Sequence, residues 1–146
     1  MCLWDYRIFG TANDPALLTF DFFTEQGSIQ LGEARFTVRK HGPMSGHWTL
    51  EHGEHVLADA TKPSAMFRSF ELQVHDLHFT VRAQTAFTRC YDILCGERRI
   101  GTIQPLHPMT RRASIECSPE VPELAQLFAF WLAVITWRRA AKHHNS

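Results

Sequence analysis

Glu123-Leu124-Ala125-Gln126-Leu127-Phe128-Ala129-Phe130-Trp131-Leu132-Ala133-Val134-Ile135-Thr136-Trp137 is the stretch that decides the fold. From Leu124 onward only Gln126 and Thr136 interrupt its apolar character. A surface helix carries a polar stripe, and this one has almost none. The preceding Ser118-Pro119-Glu120-Val121-Pro122-Glu123 is a helix start signal. Proline suits a first helical turn, and glutamates complement the positive end of the helix dipole. Arg138, Arg139 and Lys142 follow at the negative end. The pattern predicts a helix over about 122–141. It could span a membrane, pair with another chain, or be wrapped by its own sheet. A span needs about 20 apolar residues, and the run before the arginines is shorter. A helix of ~20 residues is ~30 Å long, comparable to strands of ~7–9 residues, so strands can cover it. Length favours the enclosed helix.

The rest of the chain reads as short strands separated by turns. Leu77, Phe79, Val81 and Ala83 alternate with His78, Thr80 and Arg82. Phe70, Leu72 and Val74 share a face within 66–74, as do Trp48 and Leu50 beside His47, Thr49 and Glu51. Ala113, Ile115 and Cys117 alternate with Arg112, Ser114 and Glu116. A period of two with one polar face marks half-buried antiparallel strands. Gln26-Gly27, His52-Gly53, His75-Asp76 and Gly96-Glu97 read as turns, and His41 to Gly46 as a longer loop. The expected architecture is a single domain over 1–146. It is mainly β: an antiparallel β-barrel of roughly ten to twelve strands enclosing a hydrophobic C-terminal α-helix. No internal repeat is read beyond successive hairpins.

The 146 residues suffice for a core without disulfides or metals. Net charge is zero, which argues against whole-molecule attraction to nucleic acid. The charge is uneven, however. Residues 1–61 carry four basic and eight acidic side chains, and residues 62–146 carry eleven and seven. A basic face built by the later strands follows as an expectation. Cys2, Cys90, Cys95 and Cys117 form no C-x-x-C pair, and Met1 to Tyr6 lacks the pattern of a secretory leader. The expected setting is cytoplasmic and reducing, with free, mostly buried thiols.

Several segments in order resemble the tubby C-terminal-like superfamily, which includes LURP-one-related proteins and phospholipid scramblases. They are Gly46-His47-Trp48-Thr49-Leu50, Ala58-Asp59-Ala60-Thr61-Lys62-Pro63-Ser64, Arg68-Ser69-Phe70-Glu71-Leu72, Tyr91-Asp92-Ile93-Leu94, Ile100-Gly101-Thr102-Ile103, and Phe130-Trp131-Leu132 through Trp137-Arg138-Arg139-Ala140-Ala141. The likeness covers roughly 28–141, and its order plus the terminal helix carry it. It implies a β-barrel around a central hydrophobic helix and, from tubby-type members, binding of phosphoinositide headgroups through basic residues. No Cys-rich stretch or acidic calcium-binding segment of the scramblase kind is present, so scrambling is not implied.

Candidate chemistry follows the basic side chains. Lys62, Arg68, Arg82, Arg89, Arg98, Arg99, Arg111 and Arg112 are the candidate phosphate- or lipid-binding residues. Guanidinium groups clustered on a sheet suit bidentate phosphate contacts. The competing reading is a set of solvated charges that protect strand edges. Nine histidines invite a metal, but none of the spacings is that of a zinc site, and no metal or cofactor is expected. No G-x-S-x-G, P-loop or G-x-G-x-x-G occurs. Asp92 and Glu116 could act together only if the fold joins them, and Cys90 and Cys95 read as packing thiols. The expectation is a non-enzymatic binding module, peripheral at a membrane surface, with anionic lipid as partner, no nucleic acid, and no protein partner specified. The alternatives are a membrane-anchored protein with its last helix inserted, or a small-molecule-binding protein or enzyme with a pocket near Cys90, Asp92 or His107.

Overall fold

A computed structural model describes residues 3–8, 16–63, 68–85, 88–105 and 113–144. Its strands are β1 (Leu3–Ile8), β2 (Ala16–Asp21), β3 (Gln26–Leu31), β4 (Ala34–Lys40), β5 (His47–His52), β6 (His55–Thr61), β7 (Ser69–Val74), β8 (Leu77–Ala83), β9 (Tyr91–Cys95), β10 (Arg98–Pro105) and β11 (Ala113–Cys117), followed by helix α1 (Glu123–His144). Every strand pairs antiparallel with its neighbour in sequence, giving one eleven-stranded meander. The expected strand count and class hold. Closure is not part of the observed pairing: among the described residues β1 and β11 are the two edges of the sheet.

The middle of the helix is buried on all its faces. Ala125 and every residue from Leu127 to Trp137 are buried, and Phe128, Phe130, Trp131, Leu132 and Ala133 are fully so. Strands far apart in the meander touch it. Trp131 stacks on Phe20 of β2 at 5.0 Å, and its Nε1 donates to the Thr19 carbonyl at 3.1 Å. The Tyr91 hydroxyl of β9 bonds the Thr136 hydroxyl, which also donates to the Ala133 carbonyl at 2.7 Å. Trp137 Nε1 donates to the Arg89 carbonyl at 2.8 Å. Polar interruptions on an otherwise apolar helix therefore reach partners, as buried polar groups must. Among the described residues no helix is long and apolar enough to cross a membrane.

Hairpin connections divide the molecule into two poles. At the turn pole lie the tight joins at Gly32-Glu33, Gly53-Glu54, His75-Asp76 and Gly96-Glu97. Each has a positive φ at its first residue: 58° at Gly32, 63° at Gly53, 53° at His75 and 65° at Gly96. That is a requirement of the hairpin turns that match strand twist. Their near-constant spacing makes them a structural repeat of paired hairpins, in which an acidic residue always follows the positive-φ position. The sequence reading marked His75-Asp76 and Gly96-Glu97 as they stand, set the β5–β6 turn one residue early at His52-Gly53, where His52 still belongs to β5, and did not mark Gly32-Glu33. The helix N-terminus lies at this pole. At the loop pole lie the longer connections after β2, β4, β6 and β8, together with the helix C-terminus.

Two local expectations are corrected. Gln26 and Gly27 are not a turn but the start of β3. The turn is formed by the residues before them: the Asp21 carboxylate accepts from the Phe23 and Thr24 amides at 3.0 and 3.3 Å, and Glu25 takes a positive φ of 57°. Gly27 serves a close approach instead. A Cβ there would lie 2.0 Å from the Thr19 carbonyl oxygen. The described thiols are also less buried than expected: Cys95 is exposed at the end of β9, and Cys90 and Cys117 are half-buried, while Cys2 lies outside the described residues. Burial pushes the Cys117 thiol up to about 11.

Candidate functional site

The loop pole is built where strand ends meet the last turns of α1. Its centre is Glu25, contributed by the β2–β3 turn. Arg139 Nε and Nη2 both donate to its carboxylate at 2.6 Å, and Lys40 Nζ donates to it at 2.6 Å. The Lys40 side chain is only 7% exposed, so this pair lies largely out of water. Burial alone would raise the Glu25 carboxyl, but the hydrogen bonds and charges of Arg139 and Lys40 outweigh it and hold the group below its ordinary range. Trp48 completes the centre. Its Nε1 donates to the Glu25 carbonyl at 3.0 Å, while Lys40 and Arg139 lie over its ring at 5.3 and 5.7 Å.

Further cations surround this centre, most of them against aromatic rings that end the core. Arg138 lies over Phe22 at 5.4 Å, Arg89 over Trp137 at 5.4 Å, and Arg68 over Tyr91 at 6.0 Å. Lys62 follows β6, where Gly46 lets the β4–β5 loop pass close and Lys62 N donates to the Gly46 carbonyl at 2.7 Å. The Lys62 ammonium is lowered first by burial and then by the positive charge of Arg139. Stacking a guanidinium or ammonium on a ring leaves its charge available to an anion while the ring fixes its position.

Of the eight basic residues singled out in the sequence, Lys62, Arg68 and Arg89 come together at this pole. Arg82 lies on the exposed face near the end of β8, opposite Ser69 and Asp92 in the pairing. Arg98 and Arg99 belong to the other pole: Arg98 pairs with Glu120 there at 3.0 Å, and Arg99 reaches along the sheet toward Asp92, near the start of β9, at 3.9 Å. Arg111 and Arg112 lie outside the described residues, as does His107. Lys40, Arg138, Arg139 and Glu25 are the participants that sequence reasoning missed. Arg138 and Arg139 read there as complements to the helix dipole and as part of the resembling terminal segment, not as candidate binding residues.

The other constellations do not converge. Asp92 and Glu116 both lie opposite Thr102, on either side of β10, so two strand spacings, about 10 Å, separate their backbones. Asp92 instead accepts from Gln84 at 2.9 Å. Beside the loop pole, His41 and His47 stack at 4.5 Å. His47 bonds Asp59 at 2.7 Å, and His41 bonds Thr49 at 2.8 Å. Among the described residues no group of three or more His, Cys, Asp or Glu side chains could hold a metal ion.

The turn pole has a contrasting composition. Glu33, Glu54, Asp76 and Glu97 occupy the four tight turns, and Glu120 and Glu123 flank the helix start, with Arg35, Arg98 and Arg99 among them. No family model, curated protein or solved structure matches this chain.

Proposed function

We propose that the chain is a non-enzymatic binding module whose loop pole takes anionic, phosphate-bearing lipid headgroups at a membrane surface. The observation that carries this reading is the gathering of Lys40, Lys62, Arg68, Arg89, Arg138 and Arg139 from distant parts of the chain at one pole. Two carboxylates in the β2–β3 turn stand beside them. Glu25 is engaged by Lys40 and Arg139, and Asp21 by the turn's own amides. Six cations at one pole, four of them guanidinium groups set against rings, suit phosphate oxygens. The resemblance to tubby-like proteins supports the same reading, and with it a sheet that closes into a barrel through β1 and β11. The filled interior favours binding at the rim over binding inside, since Trp48, Trp131, Phe20 and Phe128 occupy the volume a ligand would need.

Co-sedimentation with vesicles of phosphatidylcholine, with and without phosphatidylserine or a phosphoinositide, tests the proposal. Binding is expected only with anionic lipid and should weaken as salt rises. Lys62→Gln and Arg89→Gln should each weaken it by about fivefold, from about 1 kcal/mol per basic residue near the surface. Binding that is absent, insensitive to salt or independent of headgroup would reject it.

A further inference from the structure

The two most exposed large apolar side chains among the described residues are Phe23, at 93%, and Met44, at 96%. Both stand at the loop pole, at the tips of the β2–β3 turn and the β4–β5 loop. We propose that Phe23 and Met44 are paired anchors that enter the acyl region of an anionic bilayer while the basic pole holds its headgroups. The proposal rests on the basic-pole reading and names how that pole engages its partner.

The tips are held in place from below. Lys40 Nζ bridges them by donating to Glu25 of one and to the Pro43 carbonyl of the other, at 2.6 and 3.1 Å. Asp21 closes the first turn on its amides. In the second loop Ser45 donates through both N and Oγ to the Gly42 carbonyl, and His41 N donates to the His47 carbonyl at 2.9 Å. Ordering these loops on binding therefore costs little. Their hairpins are separated by two strand spacings, about 10 Å along the rim.

Chemistry favours lipid over protein as the occupant. A large contiguous apolar patch marks protein and membrane contacts alike, so the choice rests on what surrounds the apolar side chains. Here two single apolar tips stand among Thr24, Gly42, Pro43 and Ser45, with Arg138, Arg139 and Lys62 behind them. Apolar insertion combined with cations at headgroup depth is the combination that holds peripheral proteins on anionic bilayers. The acidic turns lie at the opposite pole and would face away from that surface.

The test compares wild type with Phe23→Ser, Met44→Ser and the double variant on phosphatidylcholine–phosphatidylserine vesicles, and on inositol hexakisphosphate as a soluble anion. Both side chains are exposed, so the variants should keep the wild-type melting temperature. Each single change is expected to weaken vesicle partition by about tenfold, with inositol hexakisphosphate binding unchanged. Wild-type vesicle binding that survives in the double variant overturns the anchors and leaves the basic pole standing. Failure of wild type to bind either probe overturns both. A dimer that the double variant dissolves, with vesicle binding unchanged, overturns the anchors in favour of self-association.

Discussion

Glu25 is 15% exposed and sits between two cations, one of them nearly buried. Its carboxyl is held below the ordinary range because the hydrogen bonds from Arg139 and Lys40 exceed the opposing effect of burial. A group depressed on folding stabilises the fold above its unfolded value, here 4.5, and that contribution disappears as pH falls through the folded value. Glu25→Gln removes the charge but keeps the shape. Urea unfolding at pH 7 should show a loss of about 2 kcal/mol, the scale of hydrogen bonds to charged groups. The wild-type and variant stability curves should converge as pH falls below 4.5. Curves that stay parallel down to acid unfolding would mean that the loss does not come from the ionised Glu25 carboxylate.

At the scale of elements, the turns make a sharper case than the strands. Three of the four tight turns place glycine at the positive-φ position, and the fourth places His75 there, at 53°. A residue with a Cβ pays a steric cost in that region which glycine does not. His75→Gly should therefore stabilise the protein by about 0.5–1 kcal/mol, net of the extra freedom glycine gains when unfolded. The denaturation midpoint should rise at constant slope. This turn was legible in the sequence as His75-Asp76, and the alternating strands around it were legible too. So was the helix: expected over 122–141, it runs from Glu123 to His144. The β2–β3 turn was not legible. Gly27 looks like a turn glycine, but its lack of a side chain serves the approach of Thr19, and Glu25 supplies the left-handed residue instead. The basic pole was half legible. Lys62, Arg68 and Arg89 were singled out, but alternation says which face a residue takes and not which end of the sheet it joins. Arg98 and Arg99 were grouped with the others because they could share a face, although successive strand starts in an up-and-down pairing lie at opposite ends. Phe23 and Met44 carried no periodic signal at all, because a loop tip belongs to no repeat.

Across the whole molecule, the helix dipole and the side-chain charges run the same way. Acidic turns gather near the helix start, and cations near its end, which is the favourable sense for both. The same helix is the centre of the core, and its ties reach back across almost the whole chain: Trp131 to Thr19, Arg139 to Glu25. A meander without it would be a sheet whose inner face, with Leu18, Phe20, Trp48, Leu50, Phe70 and Val81 fully buried in the intact protein, has nothing to pack against. Strand pairing alone does not offset the entropy of ordering such a chain, so the sheet depends on the segment that comes last. A chain ending at Ser118 should therefore fail to fold: no near-ultraviolet circular dichroism, no cooperative thermal transition, and strong binding of a hydrophobic dye. Supplying residues 119–146 as a separate peptide should restore part of the signal. A folded, monomeric truncated chain would mean that the helix is dispensable to the sheet, and would reopen its insertion into a membrane.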